Sequence, residues 1–420
     1  MSDYGLIGTS IRTSYSKCIH ESISDKEYDL IQLDATYYVD EFLQTDFKGI
    51  NVTRPYKEYL YKKCDFLSTE AKEIGVVNTV LKLDNKLYGY NTDAFGFEWL
   101  LNKENIIIKD KKCLIFGTGA TSKTVEYILK KLGAQEIKFL SRNPDDINSF
   151  SYTNEEVIKD FEILINTTPT SLNRYEQNDL INFSMCKKAE EFIDVNYRPA
   201  ITNLMWDANI NGIKIHNGLK MLVAQAIRTQ ELFLNKAFDE NFYENKYLQI
   251  KREITNISLI GHPFSGKTVV GGKLSTKLNK KYFDVDKEIE STFETTINDI
   301  FKEKGEEYFR FLETHILKTI MNSNGAVIST GGGIILNEEN NRILKMGSFV
   351  INLERDINRI EIDNNRPLCK SKDDLLNLIN ERKNTYKRVA NKTIRNDDID
   401  ITVQEIEDSL WIFLSLMDQI

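Results

Sequence analysis

The sequence predicts an α/β protein built on parallel sheets with helices on both faces. Three observations carry that expectation. Two glycine-rich turns each follow a short apolar run: Cys113-Leu114-Ile115-Phe116 before Gly117-Thr118-Gly119-Ala120, and Ile257-Ser258-Leu259-Ile260 before Gly261. Around each turn, apolar runs of strand length alternate with helical patterns. The chain has 420 residues, more than one domain usually holds, so two or three domains are expected.

Strands are expected at 113–116, 136–140, 162–166 and 191–195, with a helix over 121–132. A further helical pattern covers 219–236. The next stretch, 238–255, is polar and rich in charge and tyrosine. It reads as a connection, partly helical, with a cut point near Lys246. Beyond it, strands are expected at 257–260, 326–330 and 348–353, and a helix over 269–279. The two glycine turns carry different motifs, so the chain is not a tandem repeat.

Apolar residues make up 41% and charged residues 28%, an ordinary globular composition that excludes a disordered or collagen-like chain. No run approaches ~18 consecutive apolar residues, so no membrane span is expected. The start, MSDYGLIGTS, lacks the basic and apolar regions of a secretory signal. A net charge of −8 argues against nucleic acid or anionic lipid as partners and leaves small molecules. Five cysteines without CxxC spacing suggest free thiols in a reducing cytoplasm. The four histidines lack metal-ligand spacing. A monomer or a homodimer is expected.

The first turn, GxG between a strand and a helix, places helix N-terminal amides against a pyrophosphate. The third glycine of the usual fingerprint is absent, replaced by Ala120-Thr121-Ser122. An NAD site wants an acidic residue at the end of the next strand; this chain has Ser141-Arg142-Asn143. A guanidinium there suits a 2′-phosphate and favours NADP. Taken alone, the turn is also a plain strand–helix connection and Arg142 a surface arginine.

Further motifs flank this region. Upstream stand Ser14-Tyr15-Ser16, Asn51-Val52-Thr53-Arg54-Pro55-Tyr56-Lys57, Asn78-Thr79 and Asn91-Thr92-Asp93; downstream stand Tyr197 and Gly218-Leu219-Lys220-Met221 through Gln225. Over residues 1 to about 237 the chain resembles shikimate dehydrogenase. The resemblance implies substrate contacts at Ser14, Ser16, Thr53, Lys57, Asn78, Asp93 and Gln225, with Lys57 and Asp93 catalytic. It implies NADP contacts at Gly117, Gly119, Ala120, Thr121, Arg142, Tyr197 and Gly218. The chemistry is coherent: reducing a ketone needs a proton for the developing alkoxide, and an ammonium supplies one. The chain departs from the family at Thr13, Lys17 and His216-Asn217, and has Asp145 and Asp146 where a second basic residue usually follows Arg142.

The second turn, Gly261-x4-Gly266-Lys267-Thr268, is a complete P-loop between a strand and a helix. Its amides cradle phosphates, the lysine reaches the terminal phosphates and the threonine hydroxyl holds Mg²⁺. Around it lie Asp284, Asp286, Arg310, Gly331-Gly332-Gly333, Arg366 and Arg382. Over residues 255–420 this order resembles shikimate kinase. The resemblance implies that Asp284 and Thr268 organise Mg²⁺ and that Gly261, Gly266, Lys267, Arg359 and Arg366 hold ATP. It implies acceptor contacts at Asp286, Arg310, Gly332, Gly333 and Arg382, with Asp286 and Lys267 catalytic and Arg366 in a lid. Phe264 departs from the family's glycine inside the loop, and the segment from Leu353 to Arg366 is short.

The expected organisation is a dehydrogenase substrate lobe at 1–98 plus 214–237, a Rossmann-type NADP lobe at 99–213, a linker at 238–254 and a P-loop kinase domain with a parallel sheet at 255–420. The expected function is a bifunctional enzyme that uses NADPH, then ATP with Mg²⁺, on consecutive substrates. A quinate-preferring dehydrogenase, and a degenerate kinase domain kept for nucleotide binding or regulation, are the alternatives.

Overall fold

A computed structural model describes residues 2–11, 14–144, 148–169, 180–360 and 371–416. It divides into two compact units: Met1–Tyr197 with Thr202–Ile250, and Arg198–Ile201 with Lys251–Ile420. Thr13, Asp145, Asp146 and Arg366, singled out in the sequence, lie outside the described residues.

The first unit holds two sheets. One is built from β1 (Tyr4–Gly8), β2 (Tyr28–Gln32), β3 (Gly49–Val52), β4 (Phe66–Leu67), β5 (Thr79–Leu83) and β6 (Lys86–Tyr90), in the order β2-β1-β3-β5-β6-β4. It is mixed: β1 runs parallel to β2 and β3, whereas β5 is antiparallel to β3 and β6. Asp84 and Asn85 join β5 to β6 with φ of 49° and 58°, the left-handed pair of a two-residue hairpin turn. This alternation of directions brings the C-terminal ends of β1, β3 and β6 and the start of β5 to one edge. Ser14, Thr53, Asn78 and Asp93 leave the sheet there.

The second sheet is wholly parallel. It comprises β7 (Lys112–Phe116), β8 (Glu136–Leu140), β9 (Ser149–Phe150), β10 (Ile163–Asn166), β11 (Glu191–Asp194) and β12 (Lys214–Asn217), ordered β12-β11-β10-β7-β8-β9. Strand order reverses between β7 and β10, which opens a crevice beyond their C-terminal ends. The expected strands and the helix after Gly119, observed as Ala120–Lys131, are all present. One expected boundary is corrected. The sequence places residues 214–217 with the substrate lobe, yet β12 extends this parallel sheet beside β11. The chain returns only with the helix Leu219–Leu234. That helix packs on the helix Thr92–Lys103 so closely that a Cβ on Gly96 would meet the Met221 carbonyl at 2.5 Å.

A buried ionic cluster ties β12 to its surroundings. His216 bonds Glu191 at 2.6 Å and Glu104 at 3.2 Å, and Lys220 bonds Glu104 at 2.5 Å. Burial disfavours the charged imidazole, but hydrogen bonds to the two carboxylates outweigh it and raise the His216 pKa. Burial would likewise raise Glu104; His216 and Lys220 instead hold it at about 2.

The second unit carries a five-stranded parallel sheet of β13 (Asn256–Ile260), β14 (Lys281–Asp284), β15 (Ala326–Ser329), β16 (Ser348–Glu354) and β17 (Lys392–Arg395), ordered β14-β15-β13-β16-β17. The P-loop follows the central strand. The triple glycine follows its neighbour β15, and Asp284 ends β14, on the far side of β15, at the same edge. Residues 238–254, expected as a linker, are mostly the helix Glu240–Ile254. Within the first unit, Tyr243, Tyr247 and Ile250 are buried and Glu240 accepts from the Trp99 indole at 3.0 Å. Within the second, Lys251 donates to the Leu414 carbonyl and Arg252 pairs with Glu407. Among the described residues, no helix is long and apolar enough to cross a membrane.

Candidate active sites

At the convergent edge of the first sheet, Lys57 Nζ donates to Asp93 Oδ2 at 2.5 Å, with both side chains only 12% exposed. Lys57 opens the helix Lys57–Lys63, and Asp93 lies in the first turn of Thr92–Lys103. Ser14 Oγ donates to Ser16 Oγ at 3.0 Å. Thr53 stands beside Gly8, where an added Cβ would meet its methyl at 2.4 Å. Asn78 Oδ1 accepts from the Thr92 amide at 2.7 Å, and its Nδ2 donates to the Thr92 hydroxyl at 2.9 Å. Gln225, from the helix Leu219–Leu234, reaches the Thr92 hydroxyl at 3.4 Å and Asn78 Nδ2 at 3.5 Å. Ser14, Ser16 and Thr53 thus leave the C-terminal ends of β1 and β3. Asn78, Thr92 and Gln225 form one bonded group, and Lys57 pairs with Asp93.

In the parallel sheet, Gly117 follows β7 and Gly119 caps the helix that Ala120 begins, with Thr121 next. Ser122 Oγ and Thr167 Oγ1 lie 2.7 Å apart across the crevice between β7 and β10. Arg142 is exposed in the turn after β8, and its charge acts on the Tyr152 phenol. Tyr197 packs its ring on Tyr15 at 5.4 Å. Gly218 is forced by close approach: a Cβ there would fall 1.9 Å from the Val195 carbonyl oxygen. Free helix amides, a polar crevice and an exposed guanidinium fit a phosphorylated dinucleotide.

In the second unit, Lys267 Nζ folds over the P-loop, donating to the carbonyls of Gly261 at 2.8 Å and His262 at 2.9 Å. Thr268 Oγ1 donates to Asp284 Oδ2 at 2.9 Å. A hydroxyl and a carboxylate so close match the hard oxygen donors that Mg²⁺ takes. Gly266 has φ of 91° and faces Asn396, whose side chain donates to the Ser265 carbonyl at 2.8 Å. A cleft of about 550 Å³ is lined by Phe264, Gly266, Lys267, Thr268, Asp284, Asp286, Arg355 and Arg359. Phe264 sits at φ 65°, which costs a bulky side chain about 1–2 kcal/mol. Its ring is partly buried against the cluster of Ile360 and Leu375, and that apolar burial offsets part of the strain.

The acceptor residues meet beside the cleft. Arg310 lies against Gly333, where a Cβ would come within 2.2 Å of its guanidinium. It bonds Glu313 at 2.9 Å and Glu306 at 2.9 Å. Arg382 donates to the Gly332 carbonyl at 3.1 Å, as does the Tyr386 hydroxyl. Arg382 Nε and Glu313 Oε1 are buried without a hydrogen-bond partner. Burial pushes the Glu313 carboxyl up to about 7 against the opposing charge of Arg310, with Asp286 adding to the rise. Unmet donors and acceptors of this kind suit a ligand bearing a carboxylate and hydroxyls.

Comparison with known proteins assigns a family to each half of the chain. Residues 6–80 match the family model for the shikimate dehydrogenase substrate binding domain. The NADP(+) shikimate dehydrogenase of Clostridium beijerinckii is 32% identical over 268 residues, spanning 60% of this chain and 99% of that protein. The chain belongs to the shikimate dehydrogenase family. Residues 263–410 match the shikimate kinase family model, so this shikimate dehydrogenase is fused to a shikimate kinase domain in one bifunctional enzyme. Shikimate dehydrogenase 1 from Peptoclostridium difficile superposes with a TM-score of 0.56 at 31% identity, covering 60% of this chain and 98% of that one. The Thermus thermophilus shikimate dehydrogenase, solved in complex with NADP(H) and shikimate, gives 0.52 at 25% identity over 59% of this chain and 99% of that one.

The sequence assigns no role to several buried polar residues of the dehydrogenase half, although Asn51, Thr79 and Thr92 stand in its motifs. The hydroxyls of Thr79, Thr92 and Thr229 form a buried triangle with edges of 3.0–3.2 Å. Asn51 Nδ2 donates to Thr79 and Thr229, while its Oδ1 accepts from the Tyr28 hydroxyl at 2.7 Å. In the kinase half, Glu313, Tyr386 and Asn396 were unassigned. Glu313 stands three residues after Arg310 on one helical face, the spacing that signals such a pair.

Proposed function

We propose that the chain reduces 3-dehydroshikimate to shikimate with NADPH and then phosphorylates shikimate to shikimate 3-phosphate with ATP and Mg²⁺. The observation that carries this reading is the pairing, on one chain, of a buried Lys57–Asp93 couple with a P-loop cleft and with Arg382 and Arg310 gathered on the Gly332-Gly333 turn.

In the dehydrogenase half, Lys57 Nζ gives a proton to the substrate carbonyl oxygen while Asp93 Oδ2 holds the ammonium in place. Ser14, Ser16 and Thr53 bind the carboxylate and hydroxyls, and Asn78 and Gln225 orient the ring. Gly117, Gly119, Ala120, Thr121, Arg142, Tyr197 and Gly218 hold NADPH, which supplies the hydride. In the kinase half, Asp286 takes the proton of the acceptor hydroxyl. Arg310 and Arg382 pair with the carboxylate, and the backbone of Gly332 and Gly333 closes around the ring. Gly261, Gly266, Lys267, Arg359 and Arg366 hold ATP, which supplies the phosphoryl group, and Thr268 and Asp284 ligate Mg²⁺. Catalysis there rests on positioning and charge neutralisation. A reducing cytoplasm suits the four free cysteines among the described residues.

The test is one assay on the intact chain with 3-dehydroshikimate, NADPH, ATP and Mg²⁺, following NADPH oxidation and ADP release together. Omitting ATP, or chelating Mg²⁺, should stop only ADP release. Quinate oxidation faster than shikimate oxidation would overturn the substrate. ADP release that ignores shikimate would overturn the acceptor.

A further inference from the structure

Three consecutive residues of the P-loop each touch a different wall of the kinase site. His262 Nε2 accepts the backbone N–H of Arg355 at 3.2 Å, so Nδ1 carries the proton and donates to the Pro263 carbonyl at 2.7 Å. Arg355 and Arg359 line the nucleotide side of the cleft. Pro263 abuts the acceptor turn: a Cβ on Gly332 would fall 3.0 Å from its Cδ. Phe264 packs on the buried cluster of Ile360 and Leu375, against which Leu378 and Ile379 also pack. The last three lie on the helix Lys372–Val389, which also carries Arg382 and Tyr386. Those two side chains hold the Gly332 carbonyl.

Phe264 is the unusual member of the trio. Its φ of 65° belongs to glycine by preference, and a glycine would free the loop from the helix. The strain is retained together with the aromatic contact. We propose that Phe264 is a positioning residue that makes nucleotide and acceptor binding interdependent, by joining the P-loop to the helix that presents Arg382. The loop then cannot settle on phosphates without biasing that helix, and one element answers to both ligands. The proposal rests on the acceptor reading given above.

The experiment measures initial rates of shikimate-dependent ADP release by the full chain over a grid of shikimate and ATP concentrations. Only the kinase half contributes to that signal. In the native chain the apparent KM for shikimate should fall at least about 5-fold from low to saturating ATP, the lower end of typical site coupling. In Phe264→Gly and Phe264→Ala the factor should drop below about 2, while Phe264→Leu, which keeps an apolar anchor, should retain most of it. Alanine keeps a side chain at the same backbone position, so agreement between the two variants assigns the effect to the ring. A native factor in Phe264→Gly, a loss in glycine alone, or no coupling in the native chain overturns the proposal. Absence of shikimate-dependent ADP release from the native chain is a separate result, which removes the acceptor reading and the proposal together.

Discussion

Replacing Lys57 by alanine removes the ammonium that Asp93 holds at 2.5 Å. Dehydrogenase kcat should fall by at least ~100-fold, the scale of a lost general acid, while ADP release from shikimate stays native; an undiminished kcat would exclude Lys57 from proton delivery. Arg142→Asp should raise the KM for NADPH far more than that for NADH, and an equal rise in both would remove the 2′-phosphate assignment. Thr229→Val keeps the shape but breaks the hydroxyl triangle, leaving Asn51, Thr79 and Thr92 short of a partner. Each keeps other partners, so the loss is that of a hydrogen bond, about 0.5–1.5 kcal/mol, which urea denaturation should show. Lys57 could be read from the sequence because it ends a rare, ordered motif. Thr229 could not: threonine is common, and its partners lie 137 to 178 positions away.

The cluster on β12 has a pH signature. The His216 pKa is raised above 6.5 in the folded chain, so its stabilisation is complete below that value and is lost as pH rises through the raised one. Dehydrogenase activity surviving a heat challenge should therefore decline across that window. His216→Gln should be weaker at the acid end and flat with pH; an unchanged slope would show that another group titrates. Apolar runs made β7, β8, β10, β11, β13, β15 and β16 readable in the two parallel sheets, while the short or polar β9, β14 and β17 gave no such run. The β5–β6 hairpin was missed although Asp84-Asn85 supplies its turn chemistry, since charged and small residues interrupt the apolar alternation. β12 was missed because His216 and Asn217 are polar, and only the carboxylates around them reveal why they are buried. In the helix Glu240–Ile254, Tyr243, Tyr247 and Ile250 recur at i, i+4 and i+7, a helical face hidden among charges.

Among the described residues, every proposed dehydrogenase group lies in the first unit and every proposed kinase group in the second. Neither site borrows a residue from the other, so shikimate is expected to enter solution between the two steps. Isotope dilution checks this: labelled 3-dehydroshikimate with excess unlabelled shikimate should give product diluted nearly to the pool, and retained label would mean direct transfer. The division between units falls inside a helix, after Ile250, and Lys246 lies mid-helix with its ammonium on the Ser22 carbonyl at 2.7 Å. A cut at Lys246 would strand Tyr247 and Ile250, so a dehydrogenase fragment ending at 250 should outlast one ending at 246 on heating. That helix also bears on how the chain is destroyed. A protease must draw an extended strand into its cleft, and hydrogen-bonded backbone with buried tyrosines offers none. Digestion should therefore spare the junction and begin elsewhere, so the two activities would not be separated by a first nick between them.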